Sequence, residues 1–390
     1  MKRHRRFSMR VSVAFTLAPL VVVGALAAAA CGGGSEGASG PAPSVAVTDA
    51  KLAPGGVWQQ IDIGRPIAAT MPFQALSFAD AGNGMAVTYA ADFTTFVAVT
   101  ADGGATWSVN QVPRPQGAWA FNAISSPVAG KAWGVGTVGS VARTTDGGKT
   151  WRYQRRGPHG QLLSGVSFAS ATTGWAVGDQ MHPDMDPSYK TAVVLHTSVG
   201  GTTWTEQSLG ADGDIGNVSL LDVVFSDEQH GWAVGALNDD PKGDPLGGRG
   251  VVYRTTDGGA TWRAHAFSAD VRPLHGVAAI GDSHCWGVGP NDTLVSTVDG
   301  GETWVEGTTG EAAASWLVAV AFSDELNGWV GGEGALLQTR DGGETWTRQL
   351  SGDVEVWAIA CPQGGAAIAG GLAADGAGEW SPALWRYEED

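Results

Sequence analysis

Charged residues are scarce in this 390-residue chain; Asp, Glu, Lys and Arg together make up 16%. That argues against a charge-laced helical bundle or coiled coil. Cysteine is scarcer still, at three residues, too few for a disulfide scaffold or a four-ligand zinc site. Positive charge is short as well. Residues 1–30 hold Lys2, Arg3, Arg5, Arg6 and Arg10 and no acid, so the remainder sets 18 basic against 39 acidic residues, a net of −21. Such a surface repels phosphate backbones and anionic headgroups and argues against nucleic-acid binding. No Ser/His/Asp signature, phosphate-binding Gly loop or zinc-ligand spacing occurs. What the chain does have is 59 Gly and 17 Trp. Gly and Pro together stay below the low-complexity range, and so many aromatics argue against disorder.

The N-terminus reads as an export signal. A basic stretch over 1–10 precedes an apolar run over 11–30 that ends in small residues, and Cys31 follows directly. A cysteine in that place resembles the bacterial lipoprotein signal. The resemblance implies that 1–30 is removed and that Cys31 becomes a lipidated N-terminus. Ala28 departs from the Leu usual three residues before the cysteine, and ordinary cleavage or an uncleaved anchor are the alternatives. Residues 31–53, rich in Gly, Ala, Ser and Pro, read as a flexible tether. The folded body is then 54–390.

One motif recurs along that body. TADGGATW (100–107), TTDGGKTW (144–151), TTDGGATW (255–262), TVDGGETW (297–304) and TRDGGETW (339–346) are five copies, and TSVGGTTW (197–204) is a sixth with Val199 in the Asp position. A second motif precedes the copies, as in VSFASATTGWAVG (166–178), VVFSDEQHGWAVG (223–235) and VAFSDELNGWVGG (320–332). Alternating apolar residues between Gly/Asp/Asn clusters predict four strands per repeat, A to D, with the Asp-Gly-Gly turn joining C to D.

The two ends complement each other. GGVWQQIDI (55–63) matches strand D without a preceding A–C, and 354–387 supplies A, B and C without a D. Seven D-strand tryptophans (Trp58, Trp107, Trp151, Trp204, Trp262, Trp304 and Trp346) then predict an all-β fold. It is a single seven-bladed β-propeller of four-stranded blades, closed by the N-terminal strand. The octapeptide resembles the Asp-box, or bacterial neuraminidase repeat. That resemblance implies a structural role for Asp102, Asp146, Asp257, Asp299 and Asp341, on turns away from the ligand-binding face.

Aligned repeats place Cys361 in a position held elsewhere by Phe, as a small buried hydrophobe, and Cys285 in a Gly position. The two fall in repeats that are not neighbours, so no disulfide is expected. Twelve Trp fill repeat positions and read as core; Trp119, Trp316, Trp357 and Trp380 do not, and are candidates for a partner surface. In a propeller, strand A lines the channel, and the B–C and D–A loops share the binding face. One strand-A position reads Ala75, Ala123, Gly165, Asp222, Gly276, Ala319 and Ala358. Asp222 breaks this series and His275 flanks it. An ion pair, metal contact or general base is one reading; a hydrogen-bonded structural Asp is the favoured one.

Two long B–C loops carry further candidates for partner binding. They are 179–192, with His182, Asp184, Asp186 and Tyr189, and 236–250, with Asp239, Asp240 and Asp244. Their carboxylates lack the spacing of an EF-hand, so solvated loops are favoured over a Ca²⁺ site. Arg114, Arg152, Arg155 and Arg156 form a local basic cluster.

The two motifs together resemble the photosystem II stability and assembly factor family of lumenal seven-bladed propellers. The resemblance implies a membrane-tethered, extracytoplasmic scaffold that binds or assembles protein, without catalysis, cofactor or metal. That family binds through an arginine patch, for which the resemblance offers Arg152, Arg155 and Arg156 as candidates. The alternative is a glycan-binding propeller or a glycoside hydrolase, sialidase-like or xyloglucanase-like. Sialidase chemistry needs an arginine triad and a Tyr–Glu pair; Arg65 matches the first arginine only loosely, and no tyrosine shows an evident Glu partner. If Cys31 carries the anchor, Cys31→Ala releases the protein from membranes. Fractionation, with a mass spectrum of the mature N-terminus, checks this, and unchanged retention without an acyl group would refute it.

Overall fold

The computed structural model describes residues 56–63, 71–113, 120–181, 189–210, 216–238, 248–311 and 316–388. Cys31, Arg114, Trp119, His182, Asp184, Asp186, Asp239, Asp240 and Asp244 lie outside these residues. The described chain runs as strands in six antiparallel sheets. After β1 (Val57–Gln60) come five four-stranded sheets in chain order. The first holds β2 (Ala75–Phe78), β3 (Gly84–Tyr89), β4 (Thr95–Thr100) and β5 (Ser108–Gln111). The second holds β6 (Phe121–Val128), β7 (Lys131–Gly136), β8 (Ser140–Thr144) and β9 (Arg152–Arg155). Next are β10 (Gln161–Phe168), β11 (Gly174–Met181), β12 (Lys190–Thr197) and β13 (Thr205–Gln207). Then follow β14 (Val218–Phe225), β15 (Gly231–Leu237), β16 (Arg249–Thr255) and β17 (Arg263–Ala266). The fifth sheet is β18 (Gly276–Ile280), β19 (His284–Gly289), β20 (Thr293–Thr297) and β21 (Val305–Gly307).

The sixth sheet has six strands rather than four. It contains β22 (Leu317–Phe322), β23 (Gly328–Thr339), β24 (Thr347–Ala360), β25 (Ile368–Ala374), β26 (Trp380–Glu388) and the returning β1. Two repeats merge here because their connections are short. Strand β23 carries B and C of one repeat, and β24 carries its D and then A of the next. The pairing Glu333↔Glu355 zips the two repeats together. Strand β1 pairs with β26 from Val57↔Glu388 to Gln60↔Trp385. The inner strands touch in series: β2 to β6, β10, β14, β18 and β22, then β24, which touches β2.

Aromatic side chains hold neighbouring sheets together. Trp133 of β7 stacks on Phe168 of β10 at 3.8 Å, Trp175 on Phe225 at 3.5 Å, and Trp286 on Phe322 at 3.7 Å. Each indole N–H crosses the same seam. Trp133 Nε1 donates to the Gly200 carbonyl at 3.1 Å, Trp175 to Gly258 at 3.1 Å and Trp286 to Gly342 at 2.8 Å. Arg143 and Arg254 lie over the Trp133 and Trp232 rings at 5.0 and 5.1 Å. They donate to the next turn's carbonyls, Gly200 and Gly300.

The Gly of Gly-Trp is set by the same Phe. A Cβ at Gly84, Gly174 or Gly231 would stand 2.4 Å from the ring of Phe78, Phe168 or Phe225, and one at Gly328 would stand 2.5 Å from Phe322. Where the Phe is absent a side chain returns, as Cys285 opposite Ala279. Cys361, expected to be buried, is partly exposed, while Cys285 is buried, and both thiols are free. Burial pushes both thiol pKa values upward.

The octapeptide turns are nearly identical. Thr100 donates to Asp102 Oδ1 at 2.8 Å and accepts from the Gly104 N–H at 2.9 Å. Asp102 in turn accepts from the Thr106 N–H at 2.9 Å and its hydroxyl at 2.5 Å. The Thr106 bonds hold this carboxyl down to about pKa 2, and the same arrangement does so at Asp146 and Asp299. Both glycines take positive φ, 71° and 85° at Gly103 and Gly104, a region open to Gly at little cost. Val199 supplies no carboxylate and stands 50% exposed on its turn. Asp257→Ala therefore lowers stability by roughly 1–2 kcal/mol through lost hydrogen bonds, read by urea unfolding. A binding defect at unchanged stability would contradict this structural role.

Candidate functional site

The octapeptide turns lie at one end of the sheets, and the B–C connections at the other. The latter end is marked by the register pairs Met181↔Lys190, Leu237↔Arg249 and Ala374↔Trp380. Inner strands enter from that end through a repeated irregularity. The register shifts by one residue between Phe121 and Ala123, Leu163 and Gly165, Leu220 and Asp222, Leu317 and Ala319, and Val356 and Ala358. A bulge re-aims the residue it frees; here these are Asn122, Ser164, Leu221, Val318 and Trp357.

Asp222 sits just past its bulge and is partly exposed. Its carboxylate accepts from its own neighbour, the Val223 N–H, at 2.8 Å and from Val277 N–H of the next sheet at 3.1 Å. Elsewhere serines make this link between sheets. Ser77, Ser125 and Ser167 accept from the N–H groups of Ser126, Phe168 and Phe225 at 2.8, 3.0 and 3.0 Å. The corresponding residue in β14 is Val224, which has no acceptor, and Asp222 supplies one two residues earlier. Burial dominates its titration and pushes its pKa up to about 6, against the two N–H bonds.

His275 contacts Trp316, not Asp222. Their rings meet edge to face at 5.8 Å, and burial pushes the imidazole down to about pKa 4. Among the described residues, no group of three or more His, Cys, Asp or Glu is placed to hold a metal ion.

The basic cluster divides. Arg152 and Arg156 are exposed. Arg155 turns inward, and its Nη1 donates to the Gly139 carbonyl and to Gln161 Oε1, both at 2.7 Å. Tyr189 is partly buried at the exit of its loop.

Two groupings had no signal in the repeat alignment. Lys190 and Asp179 form a buried ion pair at 3.3 Å. It continues from the Lys190 N–H to Asn217 Oδ1 at 2.8 Å, and from Asn217 Nδ2 to the Asn238 carbonyl at 3.1 Å. The roots of both long loops are thus tied to one polar network. The second grouping is Glu333, Glu355 and Trp357, where the Trp357 indole donates to Glu355 Oε2 at 3.0 Å. Register partners across a seam are invisible to an alignment within repeats. A cavity of about 570 Å³ also opens beside β13, lined by Thr191, Gln207, Leu209, Val218 and Tyr253 among others.

Comparison with known proteins gives a family model and a fold. The model described as Photosynthesis system II assembly factor YCF48 matches residues 269–355. Among solved structures, YCF48 bound to a D1 peptide is 18% identical, with 85% of this chain and 97% of that chain covered at TM-score 0.60. YCF48 from Cyanidioschyzon merolae is 19% identical, covering 85% and 98% at TM-score 0.58. A streptogramin B lyase is 10% identical, covering 86% and 98% at TM-score 0.61. The fold is a multi-bladed β-propeller. None of the curated proteins matches. At these identities the propeller itself is shared, and function must be argued from the site.

Asp222 generates a pH dependence of known sign. Its folded pKa stands above the ordinary carboxylate value, so its stabilising contribution is complete below about pH 4 and lost as pH rises through about 6. His275 acts oppositely, with its contribution complete above about 6.5 and lost as pH falls toward about 4. Asp222→Asn keeps an acceptor and removes the first effect alone. The stability difference between variant and parent should change between pH 4 and 6, by at most about 1.4 kcal/mol per pH unit. A difference constant across that window, by urea titration, would refute the assignment.

Proposed function

We propose that this chain is a non-catalytic propeller that binds protein and acts as an extracytoplasmic assembly scaffold tethered to the membrane. The reading rests chiefly on the match of 269–355 to the YCF48 model. One YCF48 structure to which the fold is similar is described as bound to a D1 peptide. The repeat residues are already committed. The Thr and Asp of the octapeptide bond one another, its Gly carbonyls accept from the preceding sheet, and Asp222 bonds backbone. A partner is then met by what the repeat does not use, at the B–C end of the sheets.

The fuller architecture is part of the proposal. It has seven blades, with β1 completing the last and the ring closing between β24 and β2. The β1–β26 pairing and the serial contacts of the inner strands support it. Export and attachment through a lipidated Cys31 rest on the N-terminal sequence alone. Arg152 and Arg156 remain candidates for partner contact; Arg155 has a structural role at its turn.

Affinity purification of the tagged, full-length protein from gently crosslinked membranes tests the reading. A stoichiometric protein complex is the expected result. Absence of any enriched protein, together with binding or cleavage of an oligosaccharide, would transfer the assignment to the glycan-binding or glycoside hydrolase alternative.

A further inference from the structure

The negative charge of this protein is concentrated in one part of the chain. Residues 273–390 hold 18 acidic and three basic residues, a net of −15, whereas the whole chain has a net of −16. These residues build the fifth sheet and the merged sixth. Two of the three arginines are occupied. Arg348 pairs with Glu311 at 2.9 Å and Arg386 with Glu388 at 3.0 Å. The third, Arg340, belongs to an octapeptide and lies at the opposite end of its sheet.

Within this region the B–C end of the merged sheet presents indole and carboxylate together. Trp380 opens β26 and is 46% exposed. Its register partner is Ala374, and Val354 pairs with Ala373 one step along. Exposed Asp353, Asp375 and Glu379 therefore stand at the same level. Trp357, half-buried on the bulge of β24, is oriented by its bond to Glu355.

Glu355 is directly opposite Glu333 in the ladder. Like charges facing across strands are destabilising; burial raises the Glu355 pKa against the Trp357 hydrogen bond, and the Glu333 charge adds a smaller rise. Arg348, on the same strand, donates to Glu311 and to the Gly334 carbonyl. An incoming cation placed between these two facing acids would offset their mutual repulsion. Such departures from local rules belong to functional sites. Indole faces beside carboxylates are suited to a guanidinium, which stacks on the ring and donates to the acid.

We propose that the Glu333–Glu355–Trp357–Trp380 surface docks an arginine-rich segment of a protein partner. It rests on the scaffold reading above and supplies the chemistry of the partner. The sign is opposite to that expected of an arginine patch, so the partner segment is basic rather than acidic.

A fluorescein-labelled octa-arginine peptide, titrated into the full-length protein and read by anisotropy, tests the surface. Octa-glutamate is the control. Expected is saturable binding of octa-arginine only, weakening as salt rises. The Glu333→Gln/Glu355→Gln double variant and Trp380→Ala should each weaken it at least tenfold. Glu302→Gln/Glu344→Gln, which removes the same charge from the octapeptide end, should leave it unchanged. Gln at 355 retains an acceptor for Trp357, and circular dichroism verifies the fold of each variant.

Equal weakening by both double variants would reduce the effect to overall charge and overturn the proposal. So would no binding of octa-arginine, or binding of a neutral xyloglucan oligosaccharide in its place. The crosslinking experiment separates the two readings. If Trp380→Ala still captures the parent's partner in full, this surface is wrong and the scaffold stands. If the parent captures no protein, the scaffold reading fails whatever the peptide does.

Discussion

An indole that crosses the seam, at Trp133, Trp175 and Trp286, is the constraint on which the sheets it joins depend. Trp133, Trp175 and Trp286 each stack on a Phe of the following sheet and donate an N–H to a turn carbonyl of that sheet. One side chain thereby fixes both the distance and the rotation between neighbours. Flat contact between rings supplies apolar burial, and the hydrogen bond supplies direction. The Gly of Gly-Trp follows from this, since the Phe occupies the space of its Cβ. The octapeptide follows too. Its turn places a Gly carbonyl within reach of the preceding sheet's indole, and at Gly200 it does so without the carboxylate.

This arrangement concentrates the repeat's own bonds at one end of each sheet. One end is occupied by turns whose polar groups bond one another and whose glycines admit positive φ. The other end has connections of unequal length, bulged inner strands and the tryptophans that no repeat position requires. A repeat that stabilises itself through one end leaves the other to vary. The merged sixth sheet shows how far that variation goes. Loss of two connections fuses two repeats and brings Glu333 opposite Glu355, two acids from different repeats.

Much of this was legible in the residues. Four strands per repeat, the turn between C and D, and the pairing of the first strand with the last follow from periodicity and from motifs that recur in order. Cys285 was legible as a Gly substitute, and it occupies that place. Contacts across seams were not legible, because a repeat alignment compares equivalent positions and does not say which ones touch. Asp222 stands out in its column, yet its partner, the Val277 N–H, is backbone and has no sequence signature. Arg155 reads as one of a basic cluster, but Gln161 and the Gly139 carbonyl draw it inward. Cys361 sits in a Phe position and is partly exposed there, as Phe78 is in its own repeat.

The pairing of β1 with β26 has a consequence in time. Val57 meets Glu388, so the chain's earliest described strand waits for nearly all the rest before it has a neighbour. A contact so distant in sequence closes late, after the loop entropy has been overcome. Until then the emerging chain has a raw strand edge at each end, open to pairing with another molecule. A chain broken off before residue 385 would keep those edges. The last strand to be made is thus the one that covers the first, so truncation at one end of the chain exposes an edge at the other.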